Sequence, residues 1–351
     1  GVPCAPPWLA PGCPGNPINV ALDIQIDVTN IVDVESTAFY SQFTYALTDK
    51  LNITAGVRNT DEEKSVFFRH YKPASKTYIL NNVTNVASWK ETTSMFAVDY
   101  QITEDLMAYV SFSEGFKSGG FNPRPVGGFT AAPFGPEYVE STEIGFKSEL
   151  FDRRLRLNGA FYSSDYKDLQ FSVNRFNEAT GTLELLVGNA AEAEIDGYEL
   201  EIEAVVSENL SLRASFGNTD FEITNLYPGT SPEITLNTQQ ANSPENTSAL
   251  SLIYSAPMLN GMTTFRLDYS NQDESFADIQ NTQELLQEAN DMINARLAYE
   301  SSSNWEVALF GTNLSDERVI EGGTSNIASF GHAEATYTRP REYGVSLRLN
   351  F

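Results

Sequence analysis

In the stretch "REYGVSLRLNF" (residues 341–351), the nine residues from Tyr343 onward alternate strictly between large apolar residues and small or polar ones. A spacing of two is the period of a β-strand whose two faces meet different surroundings. Chain ends usually fray into polar residues, because terminal residues have few neighbours to pack against. A pattern that persists to the last residue therefore predicts a strand with a continuous apolar face, formed by Tyr343, Val345, Leu347, Leu349 and Phe351.

The same alternation recurs along the whole chain, for example over residues 96–102, 144–150 and 198–206. Short turns rich in Asp, Asn, Ser and Gly separate the segments, and these residues suit tight hairpins. We predict about 13 strands between residues 33 and 351, with a possible fourteenth at Ile18–Val28. Longer connections alternate with the short turns and fall around residues 64–89, 119–137, 172–192, 223–245, 275–288 and 320–336.

The short turns recur roughly every 50 residues, and two all-β architectures fit this spacing. One is a soluble propeller and the other is a membrane barrel. Propeller blades bury both faces, whereas these strands keep one polar face over roughly 10 to 13 residues, the length of a tilted strand crossing a bilayer. The pattern therefore favours a transmembrane antiparallel β-barrel. Its interior would be charged, and we expect the Glu199, Glu201 and Glu203 ladder to pair with arginines of adjacent strands rather than to line a permeation path.

Charge and cysteine content narrow the functional classes. A net charge of -25 argues against nucleic acid as a partner, because phosphate binding needs clustered Lys and Arg. The spacing of the His, Cys, Asp and Glu residues matches no catalytic, metal-binding or cofactor-binding motif. We therefore expect that the protein is not an enzyme and binds no metal or cofactor. Cys4 and Cys13 flank a Pro-rich stretch that a disulfide could close, which would indicate an oxidising compartment; two free thiols are the alternative.

Five collinear stretches resemble the C-terminal barrel of TonB-dependent outer-membrane receptors of Gram-negative bacteria. They are "AYVSFSEGFKSGGFNP" (108–123), "PEYVESTEIGFKSELFDRRLRLNGAFYSSDYKDLQ" (136–170), "AEIDGYELEIEA" (193–204), "FGTNLSDERV" (310–319) and "TRPREYGVSLRLNF" (338–351). The resemblance implies a 22-stranded barrel of which this chain supplies 13 or 14 strands, with short periplasmic turns and long extracellular loops. It divides the chain into residues 1–32, an extracellular loop and possible strand, and residues 33–351, the C-terminal part of the barrel.

The resemblance also implies a function and a set of partners. It predicts uptake of a scarce bulky solute, most simply a ferric siderophore, energised by TonB through a plug that this chain does not contain. Outer-membrane lipid and lipopolysaccharide would surround the barrel. A passive channel, or a receptor for a glycan or cobalamin, is the alternative, because one fold serves many cargoes.

Aromatic and basic residues in the long connections are the candidate ligand contacts. The stretch "FFRHYK" (67–72) combines both types in an acidic chain, and residues 116–138 add mobile glycines. Binding residues concentrate on loops held by a rigid scaffold. The candidates are Arg69, His70, Tyr71, Phe121, Arg124, Phe129, Phe134 and His332.

The terminal strand carries a first testable prediction. The resemblance implies that a terminal aromatic residue on such a strand is the signal read by the barrel-insertion machinery. Deleting Phe351 should therefore remove most of the protein from outer-membrane fractions while leaving the ligand affinity of the assembled remainder unchanged. Immunoblots of fractionated membranes measure the first quantity, and an unchanged outer-membrane level would contradict the prediction.

Overall fold

The chain folds into one large antiparallel β-sheet with three small two-stranded sheets beside it. The structure, a computed structural model, describes residues 25–125, 127, 130–177, 182–327 and 331–349. One turn of 3₁₀ helix lies at Gln283–Leu285, and none of the described segments forms a helix long and apolar enough to cross a bilayer. The strands are β1 (Asp27–Ala46), β2 (Leu51–Lys72), β3 (Thr77–Thr103), β4 (Leu106–Lys117), β5 (Gly120–Phe121), β6 (Pro133–Phe134), β7 (Glu137–Leu150), β8 (Leu155–Asn177), β9 (Thr182–Ser207), β10 (Leu210–Leu226), β11 (Asn246–Met258), β12 (Gly261–Gln272), β13 (Ser275–Phe276), β14 (Leu286–Gln287), β15 (Asn290–Ser301), β16 (Trp305–Thr312), β17 (Ile320–Ser325), β18 (Ala333–Tyr337) and β19 (Glu342–Leu349).

The large sheet contains 13 strands in the order β1-β2-β3-β4-β7-β8-β9-β10-β11-β12-β15-β16-β19. Each strand pairs with the next through an antiparallel ladder, so the predicted all-β antiparallel architecture is confirmed. The first strand begins at Asp27, six residues before the predicted boundary at residue 33. Most of the possible fourteenth strand at residues 18–28 lies outside the described residues, and its last two residues open β1.

The two faces of the sheet differ as the alternation predicted. One face, here called the outer face, exposes the apolar side chains, including Val345 (69% exposed), Leu347 (67%) and Phe161 (64%). Such exposure is unfavourable in water and favourable against hydrocarbon, where only apolar side chains are tolerated. The opposite face, here called the inner face, carries the charges.

Ion pairs connect neighbouring strands on the inner face. Arg156 contacts Glu203 at 3.0 Å and Glu149 at 3.2 Å, and Arg213 contacts Glu203 at 3.4 Å. The pairs follow from the register, in which Arg156 and Arg213 both lie directly opposite Glu203. The expected pairing with arginines is therefore observed for Glu203, whereas Glu201 accepts a hydrogen bond of 3.4 Å from Asn158 Nδ2. The side chains of these ion pairs are 44–70% exposed, a setting in which an ion pair contributes about 0–1 kcal/mol.

Two hairpins, β2–β3 and β8–β9, extend well beyond the strands β4 and β7 that lie between them, and β1 stays paired with β2 as far as Tyr71. These hairpins contain most of two segments that were predicted as loops. β2 and β3 stay paired as far as Lys72 and Thr77, and β8 and β9 as far as Asn177 and Thr182. The predicted connections at 64–89 and 172–192 are thus mostly strand. Since neither face meets lipid this far along the strand, the apolar alternation that marks a membrane strand is lost there.

The described core lies on the inner face of these two tall hairpins. Val66, Phe68, Leu80 and Ala131 form one buried cluster on β2–β3. A second cluster covers the inner side of β8–β10 and is completed by Ile234 from the connection after β10; its members are Leu169, Phe171, Ala190, Ala191, Ala193, Ile223 and Ile234. A loop packed against the inner face therefore stabilises each hairpin.

Candidate ligand-binding site

The connection between β4 and β7, residues 118–136, crosses from one tall hairpin to the other and is here called the bridging loop. On the β2–β3 side, the Lys64 ammonium donates to Ser118 Oγ at 2.6 Å and to the Gly119 carbonyl at 2.8 Å. The Ser118 hydroxyl donates to the carboxylate of Glu62. Further along the loop, Asn85 Nδ2 donates to the Ala131 carbonyl at 2.8 Å. The loop is thus fixed to the inner face at both of its ends.

Two amide side chains fix the loop to the β8–β9 hairpin. Asn189 Nδ2 donates to the carbonyls of Gly135 (3.1 Å), Pro136 (2.9 Å) and Asp168 (2.7 Å), and its Oδ1 accepts from Gly135 N at 2.7 Å. Gln170 Nε2 donates to the carbonyls of Ser118 (3.2 Å) and Gly135 (3.0 Å). Backbone groups that a loop would otherwise leave unpaired are therefore satisfied by the neighbouring hairpin.

His70 lies beneath the middle of the bridging loop. Its side chain is buried (2% exposed), with Nδ1 3.2 Å from the Pro125 carbonyl and Nε2 2.8 Å from Asn30 Oδ1. Asn30 Nδ2 also donates to the Pro123 carbonyl at 2.7 Å. Burial lowers the pKa of His70, and the hydrogen bond to Pro125 acts in the opposite direction. His70 therefore joins the loop to β1 and β2, and it is part of a strand rather than of the predicted connection.

Replacing His70 by phenylalanine should loosen the bridging loop. The variant keeps a ring but leaves the buried Pro125 carbonyl without its partner, at a cost of about 1–3 kcal/mol. We expect faster limited proteolysis within residues 118–136 and a lower midpoint of thermal unfolding. The matched control is His332→Phe, because His332 is exposed on the β17–β18 hairpin, where its Nε2 lies 3.3 Å from Glu334 Oε1. Equal protease sensitivity of the two variants would contradict the prediction.

A cleft of about 390 Å³ opens between the bridging loop, the β8–β9 hairpin and the connection after β10. Its volume is within the range of small-molecule sites. The bridging loop contributes Phe134 and Asn122, and the Asn122 Oδ1 accepts from the backbone N–H of Val187 across the base of the cleft. The remaining lining residues are Thr130, Ala132, Pro133, Phe171, Leu186, Val187, Gly188, Asn189, Ala190, Pro228, Gly229, Thr230, Ser231 and Ile234.

None of the described residues that line the cleft carries a charged side chain, although 20% of the chain is charged. Two phenylalanine rings and five aliphatic side chains, two of them alanine, supply apolar surface, and Asn, Ser and Thr supply hydrogen-bonding groups. Such a lining suits a neutral, partly aromatic ligand group oriented by a few polar contacts. A second cavity, of about 640 Å³ on the inner face near Arg156 and Glu203, is strongly charged by contrast.

The structure separates the predicted contact residues into different groups. Phe134 lines the cleft, Phe121 packs on the apolar cluster of β2–β3, and His70 lies beneath the loop. Arg124 is exposed on the bridging loop. Arg69 and Tyr71 lie on the outer face, where they contact Tyr78, and His332 belongs to a separate hairpin. Phe129, Phe351, Cys4 and Cys13 lie outside the described residues.

Sequence reasoning missed the residues that build the cleft. Asn189 and Gln170 lie in or beside a segment predicted as a loop, and nothing in their spacing marks them as anchors. The available signal was the Phe, Gly and Pro content of residues 119–136, the segment that lines one side of the cleft.

Comparison with known proteins identifies the architecture. The family model described as "TonB dependent receptor-like, beta-barrel" matches residues 10–314. The chain belongs to this family. The resemblance noted in the sequence is therefore confirmed, and the 13-stranded sheet is part of a TonB-dependent receptor barrel.

Several relatives of this TonB-dependent receptor barrel are siderophore receptors. The ferric yersiniabactin uptake receptor FyuA from Yersinia pestis superimposes with a TM-score of 0.76 at 21% identity, covering 93% of this chain and 47% of that one. The siderophore receptor PiuA from Acinetobacter baumannii gives 0.70 at 20% identity, covering 90% and 43%. The pesticin receptor of Yersinia enterocolitica is 27% identical over 173 residues, which are 49% of this chain and 24% of that protein.

These relatives are receptors and transporters, and the present chain spans only part of them. It covers about half the length of the solved receptors and about a quarter of the curated relative. At these identities the solved structures establish the fold, so the activity and ligand of the present protein are inferred separately below.

Proposed function

We propose that this protein is part of an outer-membrane receptor for the TonB-energised uptake of a ferric siderophore. The observation that carries the proposal is the cleft without charged side chains among its described lining residues. This cleft lies at the end of the barrel sheet that is extended by the long hairpins. The structural similarity of the chain to FyuA and PiuA supports a siderophore as the ligand over other transported solutes. The short turns would face the periplasm, and the bridging loop and tall hairpins the medium.

The lining of the cleft indicates which part of the ligand it holds. A ferric siderophore combines a polar metal centre with organic groups, many of them rings. Phe134 and Phe171 offer ring faces for offset or edge contacts, and Thr230 and Ser231 offer hydroxyl groups beside them. The cleft would therefore bind the organic part of the ligand. Transport requires that the state opened by the energised partner bind the ligand more weakly than the loaded outward state does.

Transport of labelled iron by cells tests the proposal. A strain lacking the full receptor gene should grow poorly when iron is limiting and should take up at least one ⁵⁵Fe-loaded siderophore from a panel more slowly than the parent strain. Uptake should stop when the proton motive force is dissipated. Uptake that continues without this energy would indicate a passive channel, and normal growth and iron uptake by the deletion strain would indicate a glycan, cobalamin or another solute.

A substitution in the cleft tests whether the transported ligand binds at this site. Ser231→Arg places a long charged side chain in the uncharged lining and should reduce siderophore affinity at least tenfold. The matched control is Asn237→Arg, which adds the same charge to the same connection at an exposed position outside the lining. Equal affinities of the two variants would show that the ligand binds elsewhere.

A further inference from the structure

Two of the long connections beside the cleft carry negative charge and no positive charge. They are residues 227–245, between β10 and β11, and residues 273–289, between β12 and β15, and they are here called the acidic connections. Together they contain seven carboxylates and no Lys, Arg or His. The carboxylates are Glu233, Glu245, Asp273, Glu274, Asp278, Glu284 and Glu288. The local charge is therefore more one-sided than that of the whole chain, which has 47 acidic and 22 basic residues.

Hydrogen bonds of uncharged amide groups hold the acidic connections together. Asn281 Oδ1 accepts from Gln239 N at 2.7 Å, and Asn281 Nδ2 donates to the Gln239 carbonyl at 2.9 Å. Asn242 N donates to the Phe276 carbonyl at 2.7 Å, and Asn242 Oδ1 accepts from Gln287 Nε2 at 3.1 Å. These contacts fix the two connections to each other without neutralising their carboxylates.

Glu233 places one of these carboxylates at the rim of the cleft. Ser231 and Ile234, which come before and after it in the chain, both line the cleft. Ser231 Oγ donates to Glu233 Oε2 at 3.2 Å, and Gln280 Nε2 donates to the same oxygen at 2.7 Å. Glu233 is exposed, so its charge is accessible to a ligand at the rim.

The one cation of the bridging loop lies outside the lining of the cleft. Arg124 is exposed and is not among the described lining residues, and the carbonyls of Pro123 and Pro125 beside it are within hydrogen-bond distance of side chains on β1 and β2. On the β8–β9 side, Tyr227 Oη donates to Glu192 Oε1 at 3.2 Å, which adds a carboxylate beside the connection that lines the cleft. An anionic ligand group would therefore meet carboxylates nearby and no cation among the described lining residues.

We propose that the receptor selects ferric complexes by their charge, and that Glu233 is the residue that favours a cationic or uncharged complex over an anionic one. Moving an anionic group out of water is costly where no cation replaces the lost hydration. A carboxylate fixed at the rim repels such a group and attracts an ammonium or a guanidinium group, and repulsion of this kind is a common source of specificity. The inference rests on the proposed function and names the charge class of its ligand.

Binding of a charge series of one siderophore to the full receptor in detergent tests this inference. The probes are Fe³⁺ complexes of a linear trihydroxamate whose terminal amine is free, acetylated or succinylated, so that the complex carries one positive charge, no charge or one negative charge. A ferric tricatecholate, with three negative charges, is the fourth probe. We expect the succinylated complex to bind at least tenfold more weakly than the free-amine complex, and the tricatecholate to bind most weakly of the four.

Glu233→Gln separates the charge of this residue from its hydrogen bonds, because glutamine keeps an oxygen that can accept from Ser231. The preference for the free-amine complex over the succinylated one should fall at least threefold, and affinity for the acetylated complex should stay within twofold of wild type. The matched control is Glu208→Gln, which removes the same charge from the exposed turn between β9 and β10 and should leave the preference unchanged. Added salt should reduce the preference of wild type, because exposed charges are screened.

Anionic complexes that bind as tightly as the free-amine complex would overturn the inference. Equal preferences in Glu233→Gln and Glu208→Gln would overturn the role of Glu233, and binding of none of the four complexes would contradict the charge class as well. The proposed function is tested separately by ⁵⁵Fe uptake. Transport of an anionic ferric complex would therefore contradict the charge inference alone, whereas normal iron uptake by the deletion strain would contradict the proposed function.

Discussion

Replacing Gly119 with alanine is expected to displace the bridging loop and weaken siderophore binding at least tenfold. A Cβ at this position would lie 2.2 Å from the Phe134 carbonyl oxygen and 2.5 Å from Cζ2 of Trp89. Neither neighbour can move easily, since one is backbone and the other is an indole packed under the Lys64 ammonium, 5.6 Å from the ring centre. Overpacking of this kind costs about 1–3 kcal/mol, and 1.4 kcal/mol corresponds to a tenfold change in affinity.

The same loop offers a control for this substitution. A Cβ added at Gly127 meets no atom of the described residues within 4 Å, so Gly127→Ala makes the same chemical change without the clash. Titration of both purified variants with a ferric siderophore, followed by tryptophan fluorescence, measures the two affinities. Circular dichroism should show intact β-structure in each, because the sheet itself is untouched. If Gly119→Ala binds as tightly as Gly127→Ala, the position of the bridging loop does not determine affinity.

Changing Asn189 should have the second large effect, because its side chain makes three hydrogen bonds to the bridging loop and a fourth to the Asp168 carbonyl of β8. Leucine at this position would leave the Pro136 and Asp168 carbonyls and the Gly135 N–H without this partner, whereas the Gly135 carbonyl would keep its hydrogen bond from Gln170 Nε2. At about 1 kcal/mol for each hydrogen bond, we expect a loss of roughly 2–4 kcal/mol in the local stability of the loop. Hydrogen exchange of the amides in residues 130–136 should accelerate, and siderophore affinity should fall at least tenfold.

Aspartate at the same position separates the effect of lost hydrogen bonds from the effect of a changed side-chain shape. Asn189→Asp keeps the volume of the side chain but replaces the donating NH₂ group by an oxygen that faces three carbonyl oxygens. It should therefore destabilise the loop at least as much as leucine does. Asn158→Leu is the control, because Asn158 makes one hydrogen bond of 3.4 Å to Glu201 on the inner face, away from the loop. Normal exchange in Asn189→Asp would show that its hydrogen bonds do not hold the loop.

The sequence predicted the membrane-level part of the sheet well because one physical constraint acts there on every strand. Lipid requires an apolar side chain at each second position, so the faces of strands such as β8 and β10 could be assigned residue by residue. The register then follows from the short turns, which is why the pairing of Arg156 with Glu203 was predictable. Above the membrane this constraint ends, and the tall hairpins were mistaken for loops.

The candidate site was predicted only in outline for a related reason. Its cleft forms where three segments distant in sequence meet, and its lining consists of ordinary neutral residues such as Val187 and Thr230. Charged and aromatic residues attracted the prediction instead, and Arg69 proved to lie on the other face of the sheet. Burial of His70 could not be foreseen, because it depends on the Pro125 carbonyl of a loop 55 residues away.

The unequal strand lengths also determine which parts of the receptor are accessible from outside an intact cell. β3 has 27 residues and β4 has 12, so the β2–β3 hairpin extends well above β4, while β1 accompanies β2 as far as Tyr71. Antibodies raised against whole bacteria should therefore recognise the turn at residues 73–76 more readily than the shorter connections. An epitope tag inserted between Ala74 and Ser75 should remain accessible to such reagents, and it would report surface display of the receptor in living cells.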